Sequence, residues 1–153
     1  MGLNHDTEAA AQALLTMCVR YGRMAEPVPE LDPWVAVDVD DPRRGQVTLV
    51  FPGLPAIVVH LFADLQDWVV LDETVEFDTP RADTVALVEA VLAGRARRRP
   101  ASGRLLPSFL REMLQASFGI VLAIPVHGGR VYTQRVPANF VGLTWVTSLP
   151  ESG

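Results

Sequence analysis

Three stretches of this chain are apolar at odd and even positions alike: QVTLVF (46–51), AIVVHLF (56–62) and GIVLAIPV (119–126). A sheet with one wet face alternates apolar and polar side chains, because successive residues point to opposite faces. Strands without that alternation need cover on both sides. Helical cover is limited here to three modest segments, enough for one face of a sheet and short for the second. The shortfall predicts a second subunit or a partner chain over the remainder. A mean hydropathy of +0.21 points the same way.

The order of elements follows from periodicity. DTEAAAQALLTMCVRYG (6–22) places Ala10, Leu14, Met17, Cys18 and Tyr21 on one helical face, with Asp6 or Thr7 at its start and Gly22 at its stop. A proline-rich connector, 22–33, comes next. Four strand candidates then run in succession: WVAVDV (34–39), QVTLVF, AIVVHLF and WVVLDETVEF (68–77). The last either continues through Thr74–Phe77 or breaks there into a short partner strand. DTPRADTVALVEAVLAG (78–94) reads as a helix with Thr79 as N-cap, Pro80 in the first turn and Gly94 past the end. Its apolar stripe is Val85, Val88, Val91 and Leu92. An arginine-rich connector, 94–105, leads to a third helix in LPSFLREMLQAS (106–117). GIVLAIPV and RVYTQRV (130–136) flank His127-Gly128-Gly129, a hairpin signal, since both glycines tolerate φ > 0. FVGLTWVTS (140–148) reads as a last strand, with Val141, Leu143 and Trp145 inward.

The expected fold is therefore one α+β domain over 1–153: a mainly antiparallel sheet of about six or seven strands with three helices, in the order α-ββββ-αα-ββ(β). This order resembles that of small acidic chaperone-like adaptors, which work as dimers. The resemblance implies a partner-binding role.

Charge is divided along the chain. Residues 1–93 hold five arginines and sixteen acids, net −11, whereas residues 94–153 hold eight arginines and two acids, net +6. The two halves are complementary, within one fold or across a dimer. GRARRRPASGR (94–104) concentrates Arg95, Arg97, Arg98, Arg99 and Arg104. Arginine forks match phosphate, so a nucleotide or nucleic-acid site is one reading of the stretch. Against it, no aromatic residue is interleaved for base stacking, and a chain of net charge −5 repels polyanions as a whole. The expectation is an exposed, partly mobile connector between two helices, whose binding, if any, is to an acidic protein surface.

Other chemistry is sparse. Nucleotide-loop, hydrolase-elbow and zinc-protease patterns are missing, as is C-x-x-C. One cysteine and three dispersed histidines do not make a metal site, and no cofactor is implied. Cys18 lies on the apolar stripe of the first helix, where a buried thiol is inert. His60, with Ala56, Val58 and Phe62 on its side of a strand, is the one candidate pocket residue. It is either a general base in an apolar pocket or a structural histidine with one hydrogen-bond partner, and the apolar neighbours favour the second. Asp72, Glu73, Glu76 and Asp78 read as the solvated face and exit of an edge strand.

The N-terminal residues show no secretory pattern and no run reaches the roughly 20 residues of a membrane span, so a cytoplasmic protein is expected. The functional expectation is a non-enzymatic partner-binding module, of adaptor, chaperone or immunity type, acting as a homodimer with a protein partner. The alternatives are a small-molecule-binding protein or enzyme with a pocket around His60, and a phosphate or nucleic-acid binder through Arg95–Arg104.

Overall fold

A computed structural model describes residues 5–25, 47–100, 120–136 and 144–151. Helix α1 spans His5–Arg20 and buries Thr7, Ala10, Leu14, Met17 and Cys18, the predicted stripe except for Tyr21, which is exposed. Strands β1 (Val47–Phe51), β2 (Ile57–Leu61), β3 (Gln66–Leu71) and β4 (Val75–Pro80) follow, then helix α2 (Arg81–Leu92). Strand β5 is Arg97–Pro100, β6 is Ile120–Pro125 and β7 is Val131–Val136, and α3 is the single turn Thr144–Thr147.

The fold is α+β, but the strands form two antiparallel sheets. Sheet A has the order β1-β2-β3-β4 and sheet B the order β5-β6-β7. The single sheet of six or seven strands with three helices is therefore corrected: seven described strands divide four and three. Helix α2 causes the division. It follows β4 directly, leaving the plane of sheet A, and the chain re-enters extended structure only at Arg97. Helix α2 then packs against β3 and β4 of one sheet, β6 of the other, and α1. That position explains why it buries Asp83, Thr84, Ala86, Leu87, Val88, Ala90 and Val91, far more of its circumference than a surface stripe would. Val85 and Leu92 are only partly buried.

The core face of sheet A is built in two cross-strand rows, Leu49–Val59–Val69–Phe77 and Phe51–Ile57–Leu71–Val75. Except for Leu49, which is partly buried, all are buried together with Leu14, Met17, Leu87 and Val88. The opposite face is intermediate: β2 alternates buried and half-buried side chains, and β1 is half-buried up to Phe51. On β1 and β2, side chains that look apolar on both faces are thus fully enclosed on only one, whereas β6 buries the adjacent Leu122, Ala123 and Ile124 and so is covered on both.

Both long helices stop as their glycines direct. At α2, Gly94 takes φ +73, its N–H reaches the Val91 carbonyl at 3.2 Å, and the Arg95 N–H reaches Ala90 at 2.9 Å. This pair of bonds caps the last carbonyls. At α1, Gly22 has φ +74, Gly22 N–H bonds Val19 and Arg23 N–H bonds Cys18. The reversal aims Arg23 at the β1–β2 loop, where its guanidinium donates to the carbonyls of Pro52, Leu54 and Pro55 at 2.9–3.0 Å.

Local differences from expectation have local causes. Thr79 is not the α2 cap: it stays in β4, buried, with its hydroxyl turned back to the Phe77 carbonyl at 3.5 Å, and Pro80 holds the cap position without a side-chain bond. The second half of WVVLDETVEF becomes a separate strand. Asp72 and Glu73 take φ +50 and +62, and Thr74 N–H closes the turn onto Leu71 at 3.2 Å. The Gly-Gly hairpin forms as expected, with β6 and β7 antiparallel around His127–Gly129. Thr144–Thr147 is helical where a strand was expected. Neighbouring Trp145 and Val146 are both buried, which an alternating strand does not allow. The strand expected at 34–39, the helix at 106–117 and residues 140–143 lie outside the described residues, as does most of the 22–33 connector.

Candidate binding surface between the two sheets

The second face of sheet A carries the polar and aromatic residues of its strands in register. Thr48 pairs with His60, His60 with Trp68, and Trp68 with Asp78, one residue from each strand. His60 Nδ1 lies 3.0 Å from Thr48 Oγ1. Its ring stacks on Trp68 at 4.9 Å and, more distantly, lies parallel to Phe62 at 6.2 Å. Half-burial among these rings holds the imidazole below its ordinary pKa, because the charged form loses hydration there. A neutral, stacked imidazole bonded to a threonine fits the structural role weighed in the sequence.

Trp68 hands this row on to Asp78 of β4, the edge strand of the sheet. Beyond it an open groove of about 540 Å³ runs between β4 and β7. Trp68, Glu76, Phe77 and Asp78 line it from sheet A, and Tyr132, Thr133 and Gln134 line it from sheet B. The Phe77 and Tyr132 rings meet edge to face at 6.5 Å and join the two walls. Each strand is the outermost member of its sheet. Glu76 and Asp78 are exposed, and among the described residues neither enters an ion pair.

Tyr132 is held from behind by α2. Its hydroxyl donates to Asp83 Oδ2 at 2.5 Å, while Arg130 Nη2 bonds Asp83 Oδ1 at 2.6 Å. Burial, followed by the adjoining carboxylate, pushes the Tyr132 phenol up to about 12. The ring is thus a fixed wall whose hydroxyl is already committed. A second buried carboxylate, Asp67, joins the far end of sheet A to both helices. It receives Arg81 through Nε (2.7 Å) and Nη2 (2.9 Å), the Thr84 hydroxyl (2.7 Å) and the Phe62 N–H (3.1 Å). Arg81 also donates to Thr7 and to the Phe62 carbonyl. Sequence periodicity gave no sign of either network. The only available signal was a polar residue at an inward position, Asp67 on β3 and Asp83 on α2.

The arginine stretch is dispersed. The connector expected over 94–105 is corrected at its centre, because Arg97–Pro100 is a strand paired with β6 from Arg97–Ala123 to Pro100–Ile120. Apolar β6 needs a ladder on that side, and strand alternation sends successive guanidinium groups to opposite faces, which relieves their repulsion. Arg97 folds back onto the Gly94 and Ala96 carbonyls at 2.8 and 2.9 Å. Arg98 points the other way, to the Leu149 carbonyl at 2.7 Å and to Glu151 at 3.8 Å. The 149–151 segment thereby lies against the outer edge of β5, with a parallel bridge from Arg98 to Glu151. Arg95 and Arg99 are exposed, and Arg104 lies outside the described residues. The described arginines do not converge on one point.

Asp72 also departs from expectation. Rather than decorating a solvated face, its Oδ1 accepts the Ala56 N–H at 2.8 Å and ties two turns together. His127 is exposed. Cys18 is buried, and burial pushes its thiol up to about 11, against the smaller opposing effect of Arg23. Among the described residues no group of histidine, cysteine and carboxylate side chains is arranged to hold a metal, and no helix is long and apolar enough to cross a membrane. No family model, curated protein or solved structure matches the chain.

Proposed function

We propose that this chain is a non-enzymatic partner-binding module, of adaptor, chaperone or immunity type, that docks other chains on the outer face of sheet A. The observation that carries the reading is the Thr48–His60–Trp68–Asp78 row, which runs across the sheet into an open groove between two edge strands. Such a surface offers aromatic area, unpaired carboxylates and strand edges, the parts from which protein docking sites are assembled. The β1–β2 side of the same face carries half-buried Val50 and Val58. A second copy covering that side gives a homodimer and leaves the β4–β7 side for a partner. Localisation in the cytoplasm belongs to the same reading.

Two measurements test it. Sedimentation velocity at micromolar concentration is expected to give twice the chain mass of 16.7 kDa, and a clean monomer removes the homodimer. A photo-crosslinking residue placed at Val58 or Glu76 is expected to capture this chain at the first position and a second protein at the other. Absence of any crosslinked protein at both positions overturns the reading.

A further inference from the structure

We infer that the outer edge of β5 is a docking edge for another protein, filled here by the chain's own residues 149–151, and that it takes from its partner an extended segment of the form apolar residue, proline, acid. The edge belongs to sheet B, so the inference stands apart from the sheet A surface proposed above.

The seated segment displays the chemistry. Three groups of one residue hold it. The Arg98 N–H donates to the Pro150 carbonyl at 3.1 Å, Arg98 Nε donates to the Leu149 carbonyl at 2.7 Å, and Nη2 lies 3.8 Å from Glu151 Oε1. Two successive carbonyls and then a carboxylate thus meet one backbone donor and one guanidinium fork. Each position of the segment has a physical reason for its residue. Leu149 is partly buried against the core. Pro150 holds the residue before it extended. It also forfeits no bond. In a parallel ladder an N–H at 150 would aim at the Ala96 carbonyl, which already accepts from Arg97 Nη1 at 2.9 Å. Glu151 supplies the counter-charge. Strand β5 reads RRRP, and no strand of sheet B contains an acid, so the local field favours an acidic segment.

The hold is slight enough to exchange. Strand β5 is outermost in sheet B, and its inner side is paired with β6 along its whole length. Among the described residues its outer side makes a single bridge, from Arg98 to Glu151. The ion pair there is long, and its side chains are 30% and 51% exposed. Upstream, α3 is anchored by buried Trp145 and Val146, and the Leu149 N–H bonds the Val146 carbonyl at 3.2 Å. Residues 149–151 can therefore lift while α3 stays in place. A competing segment has three contacts to replace, all of them to Arg98. Added-strand recognition works at such edges, with main-chain bonds giving affinity and side chains giving specificity.

The test is an NMR titration of the isotope-labelled full chain with two synthetic peptides, Ser-Leu-Pro-Glu-Ser-Gly and the same peptide with arginine in place of glutamate. The glutamate peptide is expected to move the Arg98 amide and Nε resonances, weakly in the parent chain because its own segment competes. Glu151→Arg sets like charges together and loosens that segment, and is expected to tighten the peptide about fivefold, with Glu151→Gln giving a smaller gain in the same direction. Adding Arg98→Gln, or using the arginine peptide, is expected to weaken binding at least about fivefold. An unchanged thermal transition verifies that each variant folds. If the glutamate peptide fails to move Arg98 in the Glu151→Arg chain, or if its affinity is indifferent to the residue at 151, the docking edge is overturned. Equal binding of the arginine peptide overturns the acidic partner. If Arg98→Gln lowers the sedimenting mass of the Glu151→Arg chain, the edge binds a second copy and the assignment to another protein falls. Peptide binding at Arg98 without any crosslink at Val58 or Glu76 removes the sheet A reading and leaves this inference standing.

Discussion

Two aspartates, Asp67 and Asp83, are each about 1% exposed, yet the molecule treats them differently. Asp67 is saturated. Four donors reach its two oxygens, and its arginine is itself nearly enclosed, with 12% of the side chain exposed. Asp83 has two described donors, and one comes from Arg130, whose side chain is 60% exposed. The first network ties β2, β3, α1 and α2 into one body. The second clips the β6–β7 hairpin to that body from the solvent side. A buried carboxylate is therefore not one kind of interaction: its worth depends on where its counter-charge sits.

The largest expected effect is at the enclosed pair. Arg81→Ala leaves Asp67 buried and uncompensated, and is expected to lower the unfolding free energy by about 3–5 kcal/mol in urea titrations. At the clip, Tyr132→Phe removes one bond to a charged acceptor and is expected to cost about 1.5–3 kcal/mol. Equal losses at the two sites would break the distinction between them. The clip also has a pH signature. The phenol is raised from 10 to about 12 in the folded chain, so its contribution is complete below pH 10 and is lost as pH rises toward 12. Tyr132→Phe is expected to flatten that alkaline limb in a stability–pH profile.

Smaller effects sharpen the contrast. His60→Ala removes the hydrogen bond to Thr48 and the ring contacts with Trp68 and Phe62, and is expected to cost about 1–2 kcal/mol. Because burial lowers the His60 pKa, its share of stability is present above pH 6.5 and declines as pH falls through the folded value. Acid titration of the wild type against His60→Ala measures it. The smallest effect is at β5. Arg98→Gln breaks a loose ion pair with Glu151, both side chains being substantially exposed, and is expected to change stability by less than about 1 kcal/mol. Proteolysis of the 149–151 segment is expected to accelerate even so.

Much of this fold was legible because helices and strands are written in short-range periodicity. The α1 stripe, the α2 stop at Gly94 and the β6–β7 hairpin follow from residues within one or two turns of each other. Division into two sheets was not legible. It depends on where α2 lodges, which is a contest among long-range contacts rather than a property of any one segment. The arginine strand was hidden for a related reason. Arg97–Arg99 have no apolar alternation, and they become a strand because β6 offers a ladder and 149–151 offers acceptors from fifty residues away. The groove was half visible: Glu76 and Asp78 stood out as exposed acids, but nothing local places β7 opposite them. His60 kept both of its meanings until Thr48 and Trp68 were seen in register with it.

The Arg23 contact with the β1–β2 loop has an evolutionary consequence. Gly53 sits at φ +145, and a methyl group on its α-carbon would fall within 1.8 Å of the Arg23 guanidinium. Any larger residue at 53 must therefore expel Arg23 from three carbonyls as well as accept a strained backbone. The two positions are epistatic. Loss of Arg23 relieves the steric conflict at 53 but not the backbone strain, so the order in which a lineage changes them matters. Change at 53 first incurs both penalties at once. Descendants that lose the arginine first can explore position 53 at a smaller cost, and the permitted history of this loop is set thirty residues upstream.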